Sequence, residues 1–165
     1  MKLSTRSQVD PFIVMDVMED ARKAEAEGRR IIHMEVGQPG TAAPVAAQTA
    51  VCDAIKSDAL GYTVALGLPE LRQRIAQLYA DWYDVDLDPS RVVVTAGSSA
   101  AFLLAFTALF DAGDRVGIGM PGYPSYRQIL KSLSLDAVDV PTHAEHKFQP
   151  RPADFADQNL AGVLV

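Results

Sequence analysis

Residues 92–101, Val92-Val93-Val94-Thr95-Ala96-Gly97-Ser98-Ser99-Ala100-Ala101, run straight into Phe102-Leu103-Leu104-Ala105-Phe106-Thr107-Ala108-Leu109-Phe110. A β-branched run, a cluster of small residues and an apolar stretch free of Pro and Gly predict a buried strand, a tight turn and a buried helix. Gly97 lets the backbone turn sharply, and Ser98 is placed to cap the helix. The unpaired N–H groups of the first helical turn then project from the end of the strand. Hydrogen bonding and the helix dipole together favour a phosphate there.

Downstream of this stretch the pattern alternates. Asp111-Ala112-Gly113-Asp114 ends the helix, and Arg115–Gly119 reads as a strand. Pro121-Gly122-Tyr123-Pro124 forms a rigid loop before a helix from Ser125 to about Leu133. Asp136–Val140 is a strand halted by Pro141, a short helix is expected around Ala153–Ala156, and Ala161–Val165 is a buried strand. Alternation of this kind implies right-handed crossovers and a largely parallel sheet with helices on both faces.

Upstream, Asp10-Pro11 reads as an N-cap followed by proline at the first helical position. The helix carries Ile13, Val14, Val17, Met18 and Ala21 on one face and stops at Gly28. Ile31–Val36 reads as a short strand broken by Gly37-Gln38-Pro39-Gly40. A second helix is expected from Pro44 to about Lys56. A third begins at Pro69 with Leu71, Ile75, Leu78, Tyr79 and Trp82 on one face, and Asp88-Pro89-Ser90 closes it with a turn.

At 165 residues, 48% of them hydrophobic and 22% charged, the chain has the make-up of a soluble globular domain with ample core. A formal net charge of −6 argues against nucleic acid or an anionic membrane surface as partner. The single cysteine, Cys52, cannot form an internal disulfide and reads as a small core residue. No signal-peptide pattern and no apolar run of the roughly 18 to 20 residues needed to span a bilayer are present, so a cytoplasmic location is the expectation. His143-Ala144-Glu145-His146 lies in a polar loop without a second ligand cluster, so no metal site is assigned. His33 reads as structural.

Four segments carry a family resemblance. They are Glu35-Val36-Gly37-Gln38-Pro39, Tyr62-Thr63-Val64-Ala65-Leu66-Gly67-Leu68-Pro69-Glu70-Leu71-Arg72, Val94–Ala101, and Met120-Pro121-Gly122-Tyr123-Pro124-Ser125-Tyr126. In order and spacing they resemble the fold-type I, class I/II aminotransferases, which use pyridoxal 5′-phosphate. The resemblance implies an α/β fold, a three-layer αβα arrangement with a mostly parallel sheet of the aminotransferase large-domain type, incomplete in this chain. Residues 1–40 would be an N-terminal arm and helix of the small domain, and 41–165 the N-terminal part of the large cofactor-binding domain.

The same resemblance implies roles for single residues. Gly97, Ser98, Ser99 and Ala100 match the phosphate cup, Tyr123 the aromatic stacked on the pyridine ring, and Gly37 a backbone position beside the substrate carboxylate. Tyr62 matches a tyrosine that reaches the cofactor phosphate of the neighbouring subunit, which implies a homodimer with shared active sites. Arg72 resembles a motif arginine, the plainer reading being an exposed helix arginine in a solvated face.

The implied reaction is amino-group transfer between an amino acid and a 2-oxo acid. It needs a Schiff-base lysine, an acidic residue at the pyridine nitrogen and an arginine for the substrate carboxylate. Lys2, Lys23, Lys56, Lys131 and Lys147 lack the family's serine-rich lysine context, and the Asn-Pro-x-Gly segment would begin just past Val165. The chain is therefore expected to be an N-terminal part that is inactive alone. Other fold-type I reactions (C–S lyase, decarboxylase, synthase) and a non-catalytic phosphate-binding or interaction module are the alternatives.

Overall fold

The structure, a computed structural model, describes residues 2–165. It divides into two compact units, one made of the chain up to Glu35 together with Ala96–Val165, the other of Val36–Thr95.

The first unit is organised by a parallel three-stranded sheet in the order β2-β1-β3, with β1 at Arg115–Met120, β2 at Asp136–Pro141 and β3 at Gly162–Leu164. Side chains of β1 alternate between its faces. Val116 and Ile118 point at helices α4 (Ser98–Leu109) and α5 (Pro124–Ser132), where they join Phe106, Ile129, Leu130 and Leu135 in the core. Gly117 and Gly119 point the other way. A Cβ on Gly117 would lie 2.7 Å from Leu160 Cδ1, and one on Gly119 3.6 Å from Thr142 Cγ2. The returning segment 142–161 therefore packs directly on the strand backbone. The β1–β2 connection is helix α5, and the β2–β3 connection returns to the far side of β1. With both crossovers obeying the usual handedness, they cover opposite faces of the sheet. One covering layer is helical, and the other is a loop holding a 3₁₀ turn at Pro152–Phe155, where a short helix was expected.

Helix α1, Ile13–Ala26, belongs to the same unit. Its first flanking residue is Phe12, and Asp10 does not cap it. The Asp10 carboxylate instead accepts from Lys131 Nζ at 2.6 Å, a charge-assisted bond that outcompetes a backbone N–H and holds its pKa below the usual carboxylate range. The helix ends as expected at Gly28, whose φ of +86° lets its N–H reach Glu25 O while Arg29 N–H reaches Ala24 O. The expected strand at Ile31–Val36 is absent: among the described residues no strand pairs with it, and Ile32 and Met34 are exposed.

Helix α4 spans the apolar stretch, yet only Phe106 is buried, and Leu103, Leu104 and Leu109 are exposed. A helix apolar all round is covered only where neighbours stand on every side. Within this unit α5 and the Val116–Ile118 face line one side of it.

The second unit holds α2 (Val45–Ser57) and α3 (Pro69–Tyr83). Nothing in α2 is buried, and Cys52, expected in a core, is exposed. In α3 only Ala76 is buried. Val92–Thr95, expected as a buried strand, does not form one. Val94 N–H donates to Leu66 O at 3.0 Å, and Gly67 (φ +98°) packs its bare Cα against Val94. Arg72 is half-buried, not solvated. Its guanidinium donates to Pro89 O at 2.7 Å and Val92 O at 2.9 Å, tying α3 to the 3₁₀ turn at Pro89–Arg91 that Asp88 caps. Among the described residues no helix is long and apolar enough to cross a membrane.

Candidate functional site

The turn that opens α4 has a backbone few residues accept. Gly97 stands at φ 83°, ψ 168°. That region is open essentially to glycine alone. Gly97 is the residue before the helix, so Ser98 begins the helix where it was expected to cap it. Ser98, Ser99 and Ala100 fill the first turn, whose N–H groups have no helical acceptor and carry the positive end of the dipole. A Cβ built on Gly97 would meet no atom within 4 Å, so the space beside the turn is open.

Tyr123 is brought into the same unit by the loop between β1 and α5. The loop is anchored at its start. The Met120 carbonyl accepts from both the N–H and the hydroxyl of buried Thr142 at 2.8 Å each, and Arg127 is paired with Asp139 while its Nη2 reaches Met120 Sδ at 3.4 Å. Gly122 folds so tightly that a Cβ would collide with the Gly119 carbonyl oxygen. The loop therefore delivers Tyr123 as the residue preceding α5, 55% exposed.

Two cavities meet at this ring. One, of about 330 Å³, is lined by Phe12, Met15, Ser99, Tyr123, Gln128 and Ile129, and thus joins the α4 turn, the Tyr123 ring and the start of α1. The other, of about 340 Å³, opens at the carboxyl ends of β1 and β3 between Gly119, Tyr123, Arg127 and Phe148. That end of a parallel sheet is where ligands are placed. The lining of the first cavity carries no charged side chain, so its attraction for an anion comes from the backbone of α4. Ser99 adds a hydroxyl donor at the same spot.

A model of aminotransferase class I and II matches residues 29–159. The chain belongs to that family. Valine–pyruvate aminotransferase of Mycobacterium tuberculosis is 42% identical over 166 aligned residues, covering 99% of this chain and 43% of that enzyme. A solved aminotransferase from Mycobacterium tuberculosis superposes with a TM-score of 0.95 at 42% identity, covering 100% of this chain and 43% of that one. A structure described as a candidate aminotransferase from Silicibacter pomeroyi is 65% identical with a TM-score of 0.87, covering 99% of this chain and 41% of that one. The chain spans less than half the length of the relatives it matches. Its parallel sheet with flanking layers is an incomplete version of the αβα fold of these aminotransferases.

Of the residues expected at the aminotransferase site, Gly97, Ser98, Ser99, Ala100 and Tyr123 lie in one unit, and Ser99 and Tyr123 share a cavity. Tyr62 and Gly37 lie in the other unit, where the Tyr62 ring is fully exposed and a Cβ on Gly37 would meet no atom within 4 Å. Two features of the site escaped the sequence reading. Phe12 falls inside the helix start that Asp10-Pro11 predicts, and the Arg127–Asp139 pair has no signature in the sequence, since the two residues meet only where α5 packs on β2.

Proposed function

We propose that this chain is the cofactor-cradling part of an aminotransferase that moves an amino group between an amino acid and a 2-oxo acid. The observation that carries this reading is the Gly97 turn: it opens the first turn of α4 onto a cavity that Tyr123 also borders. Aminotransferases of this family use pyridoxal phosphate, and the residues present fit it. A phosphate needs converging donors without a competing carboxylate, and the α4 turn with the Ser99 hydroxyl supplies them. A flat heterocycle needs an accessible aromatic, and Tyr123, 55% exposed, is one.

When bound, the cofactor serves as the electron sink for chemistry at the amino acid's Cα. This chain's residues do the holding. Ser98, Ser99 and Ala100 would bind the phosphate through their N–H groups, and Tyr123 would set the ring's tilt and keep water off one face. Gly37 would leave room for the substrate carboxylate. Tyr62 would reach the phosphate of a neighbouring subunit in a cytoplasmic homodimer. Residues 1–40 would form an arm and helix of the small domain, and 41–165 part of the large domain. The Schiff-base lysine would come from outside these 165 residues, so this chain alone would show no turnover of an amino acid with a 2-oxo acid.

The test compares binding of pyridoxal 5′-phosphate, pyridoxal and inorganic phosphate by calorimetry. The phosphate ester should bind more tightly than pyridoxal. Gly97→Ala, which forces an L-residue into a glycine-only conformation at a cost of about 1–3 kcal/mol, should erase the difference. Equal affinity for the two vitamers in the unaltered chain would overturn the reading.

A further inference from the structure

The ring of Tyr123 stands in T-shaped contact with two aromatic neighbours of different origin. Tyr126 stands 5.3 Å away, centroid to centroid, with its plane turned by 69°, and it is rooted in the core through Phe102 at 4.9 Å and then Phe106 and Phe110. Phe12 stands 6.1 Å away on a plane turned by 75° and comes from a distant part of the chain. Both contacts are T-shaped, a geometry in which ring quadrupoles attract.

Phe12 is itself held. It is half-buried, it borders the cavity that also contains Ser99, and two positions before it Asp10 is bonded to Lys131 of α5 at 2.6 Å. The 3₁₀ turn at Thr5–Ser7 also lies against α5. The start of the chain is thus fastened to the helix that Tyr123 precedes, with Phe12 near the fastening point.

We infer that Phe12 is a positioning residue for the cofactor site: the N-terminal segment, latched to α5 by Asp10–Lys131, places the Phe12 ring in T-shaped contact with Tyr123 and sets the orientation in which Tyr123 meets a stacked heterocycle. The inference rests on the proposed stacking role of Tyr123. It adds that the stacking surface is completed by a part of the chain remote in sequence. Tyr126 alone leaves the Phe12 side of Tyr123 without an aromatic neighbour, and the ring can then swing toward the space that Phe12 vacates.

The test uses the whole chain with Phe12→Ala, Phe12→Leu and Phe12→Tyr, and reads two quantities. The first is the χ1 rotamer population of Tyr123 from three-bond NMR couplings, without any ligand. The second is affinity for pyridoxal 5′-phosphate against affinity for inorganic phosphate. Phe12→Ala and Phe12→Leu are expected to average the Tyr123 rotamer and to weaken pyridoxal 5′-phosphate by about three- to tenfold, the size of one aromatic pair. Inorganic phosphate, which needs only the α4 turn, is expected to bind unchanged, and Phe12→Tyr to restore both readouts. A single Tyr123 rotamer in Phe12→Ala overturns the inference, as does an equal loss of both ligands, which would mark Phe12 as a general support of the fold. If the unaltered chain does not prefer pyridoxal 5′-phosphate over pyridoxal, the functional reading fails, and the rotamer measurement still decides whether Phe12 positions Tyr123.

Discussion

The unit built on the sheet and the unit spanning Val36–Thr95 hold themselves together differently. In the first, Val116, Leu130 and Val140 are fully buried, and the strand–helix–strand succession supplies β1, β2 and α5 with apolar partners a short way along the chain. In the second, helices α2 and α3 together contribute one buried side chain, Ala76. What fastens it is polar and specific: the Arg72 fork onto the carbonyls of Pro89 and Val92, the Asp88 cap, and the bond from Val94 to Leu66. Amphipathic patterning therefore marks a face to be covered. It does not say that the covering element lies nearby.

The largest expected effect sharpens this contrast. Leu130 is fully buried. Leu130→Ala empties that site and should cost about 2–5 kcal/mol in chemical denaturation followed by circular dichroism. In the other unit Val51 is exposed on α2. The corresponding truncation there, Val51→Ala, should stay within about 0.5 kcal/mol. Comparable losses for the two would break the comparison.

Next in size is Arg72→Ala. It removes the donors from two backbone carbonyls in a half-buried setting. A loss of about 1–3 kcal/mol is expected. Trp82 lies on the same helix, so its fluorescence should report earlier melting of α3. Faster hydrogen exchange at Arg91 and Val92, which belong to the tethered turn, is the companion readout. Unchanged exchange there would show that apolar contacts hold the unit after all.

The smallest effect concerns a polar clasp in the first unit. His33 Nδ1 sits 2.6 Å from Glu35 and Nε2 2.9 Å from Glu25, and these two hydrogen bonds, Glu35's first, raise its pKa to about 9. A raised pKa stabilises the fold while the imidazole is charged. The contribution is therefore complete below its ordinary value near 6.5 and fades as pH rises through about 9. Because the ring is partly exposed, solvent screens the clasp and the change in melting temperature should be small. Titration of the His33 ring by NMR should give a midpoint well above neutrality that falls in Glu35→Gln and falls less in Glu25→Gln. A midpoint near 6.5 in the unaltered chain would remove the clasp.

Legibility in the sequence followed the same division. The strands at 115–120, 136–141 and 162–164 and helix α5 fall where alternation put them, because a parallel unit writes both partners of each contact into one short stretch. Gly28, Pro69 and Asp88 punctuate as expected, since caps and turns are decided within a few residues. Ile31–Val36 and Val92–Thr95 carry strand-like composition without becoming strands. A strand exists only through a ladder with another one. Cys52 and the flank of α4 look like core material and are exposed because what covers an apolar face is a neighbour, not its own composition. In the site, the Gly97 turn was legible because a positive φ selects glycine. The grip of Phe12 on Tyr123 was not, because it joins residues far apart in the chain.

By itself, then, the sequence determined the local grammar of this protein: where the chain turns, where α4 begins, and which family's motifs follow one another in order. Those are matters of backbone conformation and short-range hydrogen bonding, settled within a handful of residues. Only the tertiary structure decided which apolar faces are covered, that Arg72 works as a tether, and that Asp10 spends its charge on Lys131 instead of a helix end. Burial and ion pairing depend on which distant segment arrives at a given place, and that is a property of the assembled chain.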